Sequence, residues 1–169
     1  MPAHTSTRFH VRWMIRRDLP EILAIEREAS AFPWDGEKFL ASLRHRNVVG
    51  MVAEVGPYDS PTDLGTVVRY MIYGVHKCHL SLLRFGVRED WWGRGVRKAL
   101  VEKLKSKLTD RRTRLRASVR DDDLDLQLFF RGQRFLATAV RRGACEEDGS
   151  DAYLFEYLVP GDDVIGGED

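Results

Sequence analysis

Two glycines and three cations fall within six residues: Gly93, Arg94, Gly95, Arg97 and Lys98. Before them, residues 80–87 form an apolar run with the pattern of a strand. After them, Val96, Leu100, Leu104 and Leu108 recur every fourth residue, the stripe of an amphipathic helix. The first turn of such a helix leaves backbone N–H groups unpaired, and its dipole is positive there. Glycines in the preceding turn let the backbone come close to a ligand. Residue type and spacing together describe a seat for a diphosphate or a similar anion. Gly-x-Gly is equally the pattern of an ordinary strand-to-helix turn, so the order of the surrounding elements decides between the two.

Four other groupings could carry chemistry. Glu26 falls on the same helical face as Ile22 and Leu23. A carboxylate there needs a partner, a cleft, or a place at the stripe's margin within reach of water. Phe32 and Trp34 flank Pro33, which disfavours helical geometry at Phe32. They are the wall of a cleft or a cover for the core. His76, Cys78 and His79 resemble a metal cluster, but on a strand Cys78 and His79 point to opposite faces, so no metal site is expected. The run Asp121, Asp122 and Asp123 suits a helix N-terminus on dipole grounds alone.

The elements that must position these groups follow from pattern and punctuation. Residues 9–15 read as a strand. Asp18 caps a helix to about Ser30, with a stripe of Leu19, Ile22, Leu23 and Ala29. Asp35 caps a second helix to about Arg46, with Phe39, Leu40 and Leu43 inward. Residues 48–55, 66–76, 79–87 and 113–119 are strands, and 56–63 are a turn-rich, exposed hairpin loop. Asp123 caps a short helix through Phe130. Residues 135–142 and 152–159 make a final hairpin. The order is β-α-α-β-β-β-α-β-α-β-β, a mixed α+β domain over residues 9–159 with flexible ends at 1–8 and 160–169.

The 169 residues suffice for one domain with its own core. A formal net charge of +1, from 27 Lys and Arg against 26 Asp and Glu, gives no global field for nucleic acid. The two cysteines, Cys78 and Cys145, are too few for a disulfide framework. No apolar run is long enough to span a bilayer, no secretory segment is evident, and a reducing cytoplasmic setting is expected.

With these residues in place, the chain resembles the GNAT N-acetyltransferase superfamily over residues 11–158. Within it, the chain is similar to the bacterial ribosomal-protein N-terminal alanine acetyltransferases. The most telling piece is Ile25-Glu26 through Phe32-Pro33-Trp34, like that group's Ile-Glu…Phe…Pro-Trp segment. The resemblance implies a central, mostly antiparallel, twisted sheet of about seven strands with about four helices, splayed into a V after the fourth strand. It implies acetyl-CoA as co-substrate, and as acceptor a protein N-terminus, a ribosomal protein's included, or a small amine. Backbone groups of Phe85, Gly86 and Val87 would pair with the pantetheine arm. The amides of Trp92, Gly93, Arg94, Gly95, Val96, Arg97 and Lys98 would hold the pyrophosphate. Asp123 and Phe130 would border the cofactor. Glu26, Phe32, Trp34 and Tyr153 would face the acceptor.

The chain departs from the family pattern at chemically weighty positions. The family's general base, a Glu on the fifth strand, falls on Ser118 within Ala117-Ser118-Val119-Arg120. Its general acid, a Tyr twelve residues on, falls on Phe130. The Gly before the closing Phe135 is Arg134, the usual Asn is Asp123, and the last position of the pyrophosphate loop is Arg97. Glu26, Tyr153, Asp121 and Asp122 are conceivable substitutes, and no residue is assigned as base or acid. Two readings follow: an acetyl-CoA-dependent N-acetyltransferase, or a degenerate relative that binds a peptide or partner without transferring acetyl. A third, a nucleic-acid module using Arg111, Arg112, Arg114, Arg116 and Arg120, has only charge behind it. The exposed face of the last strands leaves monomer and homodimer both open.

Overall fold

The computed structural model describes residues 9–56 and 65–161. Most of the expected 56–63 loop, and the end segments 1–8 and 162–169, lie outside the described residues. Among the described residues, seven strands and four α-helices follow in the order β1 (His10–Trp13), α1 (Leu19–Ala29), α2 (Gly36–Leu43), β2 (Val48–Val55), β3 (Thr66–Val75), β4 (His79–Val87), α3 (Val96–Lys105), β5 (Arg114–Arg120), α4 (Leu124–Gly132), β6 (Leu136–Arg141) and β7 (Ala152–Leu158). The strands form one mostly antiparallel sheet in the order β1-β2-β3-β4-β5-β7-β6. The parallel pairing of β4 with β5 runs from His79↔Arg114 to Leu82↔Ala117. The mixed architecture expected from the sequence is the one observed, and β2 and β4 fall on the expected bounds.

The described residues gather into two compact units, whose boundaries fall within β3, β4 and α3. The first takes in residues 9–56, 65–72 and 84–97. Its core is Ile22, Ile25, Phe39, Val52, Val67, Tyr70 and Ile72, with Leu19, Leu23 and Trp34 packed against it. Phe39 is fully buried and meets Trp34 and Tyr70 edge-on, at 5.3 and 5.6 Å between ring centres. Truncating such a ring costs about 3–5 kcal/mol. On α1 the buried face is carried by Ile22, Ile25 and Glu26, and Ala29, expected inside, is exposed. It is the helix's last residue, where the stripe runs off the core.

The second unit takes in residues 73–83 and 98–161. Leu80, Leu104, Leu115, Val119, Phe135 and Phe155 are among its buried side chains. Of the expected α3 stripe, Leu100 and Leu104 are buried in this unit, and Val96 is buried in the first. The helix stops at Lys105, so Leu108 falls in the turn beyond it. β6 is an edge strand, and all six of its residues are exposed.

Two expected caps are made and one is not. Asp35 accepts a hydrogen bond from the Lys38 amide at 2.8 Å, and Asp123 one from the Leu126 amide at 3.0 Å. Asp18 stands at the N-cap of α1 without capping it. Its carboxylate accepts instead from the Ile15 amide at 2.8 Å and from both terminal nitrogens of Arg12 at 2.7 and 2.8 Å. Two charge-assisted bonds from one guanidinium outweigh a single bond from a cap amide.

Candidate functional site

β4 ends at Val87 and leads through a short 3-10 turn, Glu89–Trp91, into the glycine turn before α3. The segment is fastened from behind. The Arg88 amide donates to the Val68 carbonyl at 2.8 Å, and its guanidinium to the Val67 carbonyl at 2.9 Å. The Trp92 indole N–H donates to the Val87 carbonyl at 2.7 Å, and the Trp91 ring meets Phe9 edge-on at 5.4 Å. Arg94 lies over Trp91 at 4.9 Å.

The front of the turn is open. Trp92, Gly93, Arg94 and Gly95 are exposed. Gly93 and Gly95 take φ of +72° and +71°, the left-handed region where a side chain is strained. A Cβ added at either would meet nothing within 4 Å. Glycine is therefore set here by backbone conformation, while the space before it stays clear for a ligand. Val96, the first helical residue, is buried, Arg97 is partly buried, and Lys98 is exposed. A cationic, glycine-turned helix start is what a diphosphate requires.

Gly86 has a different reason. A Cβ there would fall 2.7 Å from Tyr70 Cε1 and 3.1 Å from Ile25 Cγ2. It is the gap that admits the Tyr70 ring.

The sequence places Glu26 at the acceptor amine; in the structure its carboxylate is turned inward. The residue is 1% exposed. It accepts from the Tyr70 hydroxyl, from Arg84 Nε at 2.7 Å, from Arg84 Nη2, and from the Trp34 amide at 3.0 Å. Arg84 Nη2 also donates to Ser30 Oγ at 2.7 Å and to the Phe32 carbonyl at 2.9 Å, and its guanidinium lies over the Trp34 ring at 5.4 Å. The tyrosine's pKa is pushed up by burial and by the neighbouring carboxylate. This is the paired alternative for Glu26. The pair ties down the loop that carries Phe32 and Trp34, both partly buried.

Ser118, Tyr153, Phe130 and Asp123 belong to the second unit. Ser118 is exposed on β5, opposite Leu154. Val119 pairs with Tyr153, which is partly buried. Phe130, expected beside the cofactor, is 1% exposed and packed among Phe129, Phe135 and Phe155 at 5.3, 4.9 and 6.1 Å. An all-aromatic cluster holds a phenylalanine inward where a tyrosine's hydroxyl would need a partner. Asp123 is occupied as the α4 cap. Among the described residues, no three His, Cys, Asp or Glu side chains gather as a metal would need, and no helix is long and apolar enough to cross a membrane.

Sequence reading missed Arg69, Tyr70 and Arg84. A signal was present for the arginines: each is the lone charge inside an otherwise apolar strand, in Val68-Arg69-Tyr70 and Leu83-Arg84-Phe85. A charge in such a run must be answered by something across the core.

Comparison with known proteins gives the family and the fold. The acetyltransferase (GNAT) family model matches residues 9–135. Among curated proteins, none matches by sequence. Similar solved structures include the ribosomal-protein-S18-alanine N-acetyltransferase of Escherichia coli, at 23% identity and a TM-score of 0.71 over 90% of this chain and 94% of that one. Ard1 of Thermoplasma volcanium matches at 21% identity and 0.74, over 89% and 97% of the two chains. Arabidopsis thaliana NAA60 in complex with acetyl-CoA matches at 16% and 0.72, over 90% and 100%.

Proposed function

Because the chain belongs to the acetyltransferase (GNAT) family, we propose that it is an N-acetyltransferase that moves the acetyl group of acetyl-CoA to the N-terminal amine of a protein or to a small amine. The observation that carries this reading is the open turn at Gly93 and Gly95, exposed and with clear space before both Cα atoms. Its amides, with Arg94, are the groups that would hold the donor's diphosphate. Acetyl-CoA supplies an activated thioester. The neutral acceptor amine attacks its carbonyl carbon, the C–S bond breaks, and the amine's proton is lost as the thiolate is protonated.

What this chain's residues contribute is chiefly binding and orientation, which by itself accounts for a large share of such a rate. Phe32 and Trp34 are the acceptor-side surfaces, held by the Arg84–Glu26 pair. Proton transfer is weakly provided for, since the family's base and acid positions hold Ser118 and Phe130. A positioned base or acid is worth roughly 10²–10⁴-fold each, so turnover is slow and water carries the proton.

A second reading, a relative that binds a peptide or partner and has lost acetyl transfer, is favoured by one observation: Phe130 is built into an aromatic cluster rather than left at a surface. Calorimetry with acetyl-CoA, followed by mass spectrometry of Ala-initiated peptides incubated with it, separates the two. Micromolar binding with acetylated product supports transfer. Absence of binding removes the enzymatic reading.

A further inference from the structure

Arg69 is a buried cation in an unusual place. It is 6% exposed, on β3. Its one hydrogen bond runs from Nη1 to the carbonyl of Val96, the first residue of α3, at 3.3 Å, and its Nε has no partner. No carboxylate pairs with it among the described residues. The other arginines of this unit that reach inward are matched: Arg12 by Asp18 and Glu54, Arg84 by Glu26. Burial draws the pKa of the Arg69 guanidinium down, yet an arginine stays charged.

Its position makes the charge harder to explain by packing. Cations are favoured at the C-terminal end of a helix, where the dipole is negative. Arg69 reaches the N-terminal end of α3, where the dipole is positive and where the chain already carries Arg94 and Arg97. A methionine of similar volume would remove both the unmet charge and the repulsion. A buried cation added to the positive end of a helix is accounted for by an anion that the helix end receives.

A physical link runs from Arg69 to the exposed turn. Its guanidinium lies 5.0 Å from the Phe9 ring centre, Phe9 meets Trp91 at 5.4 Å, and Trp91 carries Arg94 at 4.9 Å. The buried charge and the loop charge thus stand at the two ends of one edge-on aromatic pair.

We infer that Arg69 is a buried counter-charge for the diphosphate of the donor, a binding residue that acts through the first turn of α3 without reaching the surface. The inference rests on the reading that the Gly93–Gly95 turn receives acetyl-CoA. It adds a residue that faces the turn from within the core and names the trade it makes: ligand-free stability is lowered so that an anion is held more tightly.

The test uses the full chain with Arg69→Met, Arg69→Lys and Arg69→Gln. Thermal unfolding without ligand, and calorimetric Kd for acetyl-CoA at two salt concentrations, are the readouts. Arg69→Met is expected to unfold at a higher temperature than the unaltered chain while binding acetyl-CoA at least tenfold more weakly and with a shallower salt dependence. Arg69→Lys is expected to lie between. A merely structural arginine gives the opposite: a lower unfolding temperature and an unchanged Kd, and either result overturns the inference. Should Arg69→Met fail to fold, the arginine is structural and the inference is overturned. If the unaltered chain binds no acetyl-CoA, the donor reading falls, and inorganic pyrophosphate becomes the probe. Binding that Arg69→Met or Arg69→Gln weakens keeps the anion seat, and no binding removes the inference with the reading.

Discussion

Arg84 Nε lies 2.7 Å from Glu26 Oε1, joining β4 to the buried face of α1. The same guanidinium reaches the Phe32 carbonyl at 2.9 Å, and the same carboxylate oxygen takes the Trp34 amide at 3.0 Å. The two residues act as one unit on the loop between α1 and α2. Removing one partner of a buried pair leaves the other charge unanswered, at a cost of about 3–5 kcal/mol. Arg84→Met is therefore expected to lower stability by about that amount. Arg84→Met combined with Glu26→Gln is expected to cost clearly less than the sum of the single changes. Urea unfolding of the four chains in a double-mutant cycle measures the coupling. Additive losses would show that the pair is not a unit.

The glycine turn separates stability from ligand binding. Gly95→Ala puts a Cβ into a left-handed conformation, at about 1–2 kcal/mol, but the new atom touches nothing in the protein. Its methyl group occupies the space in which the diphosphate is proposed to lie. A modest fall in unfolding temperature and a Kd for acetyl-CoA raised at least tenfold are expected. Calorimetry showing an unchanged Kd would place the donor elsewhere.

Much of this was legible beforehand, for physical reasons that differ by element. β2 and β4 are bounded by polar or turn residues and carry dense β-branched or apolar runs, so their ends match. α3 announces itself by a four-residue repeat, but the repeat continues to Leu108 past the end of the helix at Lys105. Asp18 shows why a cap cannot be read from type alone: a carboxylate chooses among donors that only tertiary structure brings, and Arg12 won. Glu26 is the same lesson at the site. Its need for a partner was evident from the helical stripe, but the partner lies 58 residues along the chain. The glycine turn was legible because its cause is local backbone geometry.

Ser118 and Phe130, the residues on which the family resemblance puts its base and acid, can each be changed to the family's residue, and the two changes differ in cost. Ser118 is exposed, so Ser118→Glu places a carboxylate in water at little expense. If Ser118 holds the family's base position, the single change raises the acetylation rate, by up to about 10²-fold for a base in reach. Phe130→Tyr adds a hydroxyl inside an aromatic cluster, at about 1–3 kcal/mol unless a partner is found. The single Ser118→Glu change is thus expected to outperform the double change in a peptide acetylation assay at 37 °C. A rate equal to that of the unaltered chain would exclude Ser118 from the acceptor's path.

Acid sensitivity should originate in the cluster of Arg12, Asp18 and Glu54. Burial pulls both carboxyls up, but hydrogen bonds from Arg12, with the Ile15 amide on Asp18 and His10 on Glu54, bring both below their ordinary values. A carboxyl held lower in the folded than in the unfolded chain binds fewer protons when folded. Its stabilisation is then complete above the unfolded value, near 4, and is lost as pH falls through the folded value. Unfolding temperature is expected to be flat from pH 7 to about 5 and to drop below pH 4. Arg12→Met should flatten that drop while lowering the plateau, as read by calorimetric scans across pH.

Arg134 supplies a change that should stabilise. α4 ends in a paired closure: the Phe135 amide donates to the Phe130 carbonyl and the Arg134 amide to the Arg131 carbonyl, both at 3.0 Å. This is the Schellman arrangement, whose C′ residue is left-handed and is usually glycine. Arg134 fills it at φ +68°, the one non-glycine residue with positive φ among those described. Its side chain is exposed, so little packing is lost on removing it. The left-handed conformation costs an ordinary residue about 1–2 kcal/mol, and glycine's greater freedom in the unfolded chain returns part of that. Arg134→Gly is expected to stabilise by about 0.5–1 kcal/mol, raising the urea midpoint with an unchanged m-value. A lowered midpoint would mean that the guanidinium makes a contribution outweighing the backbone strain.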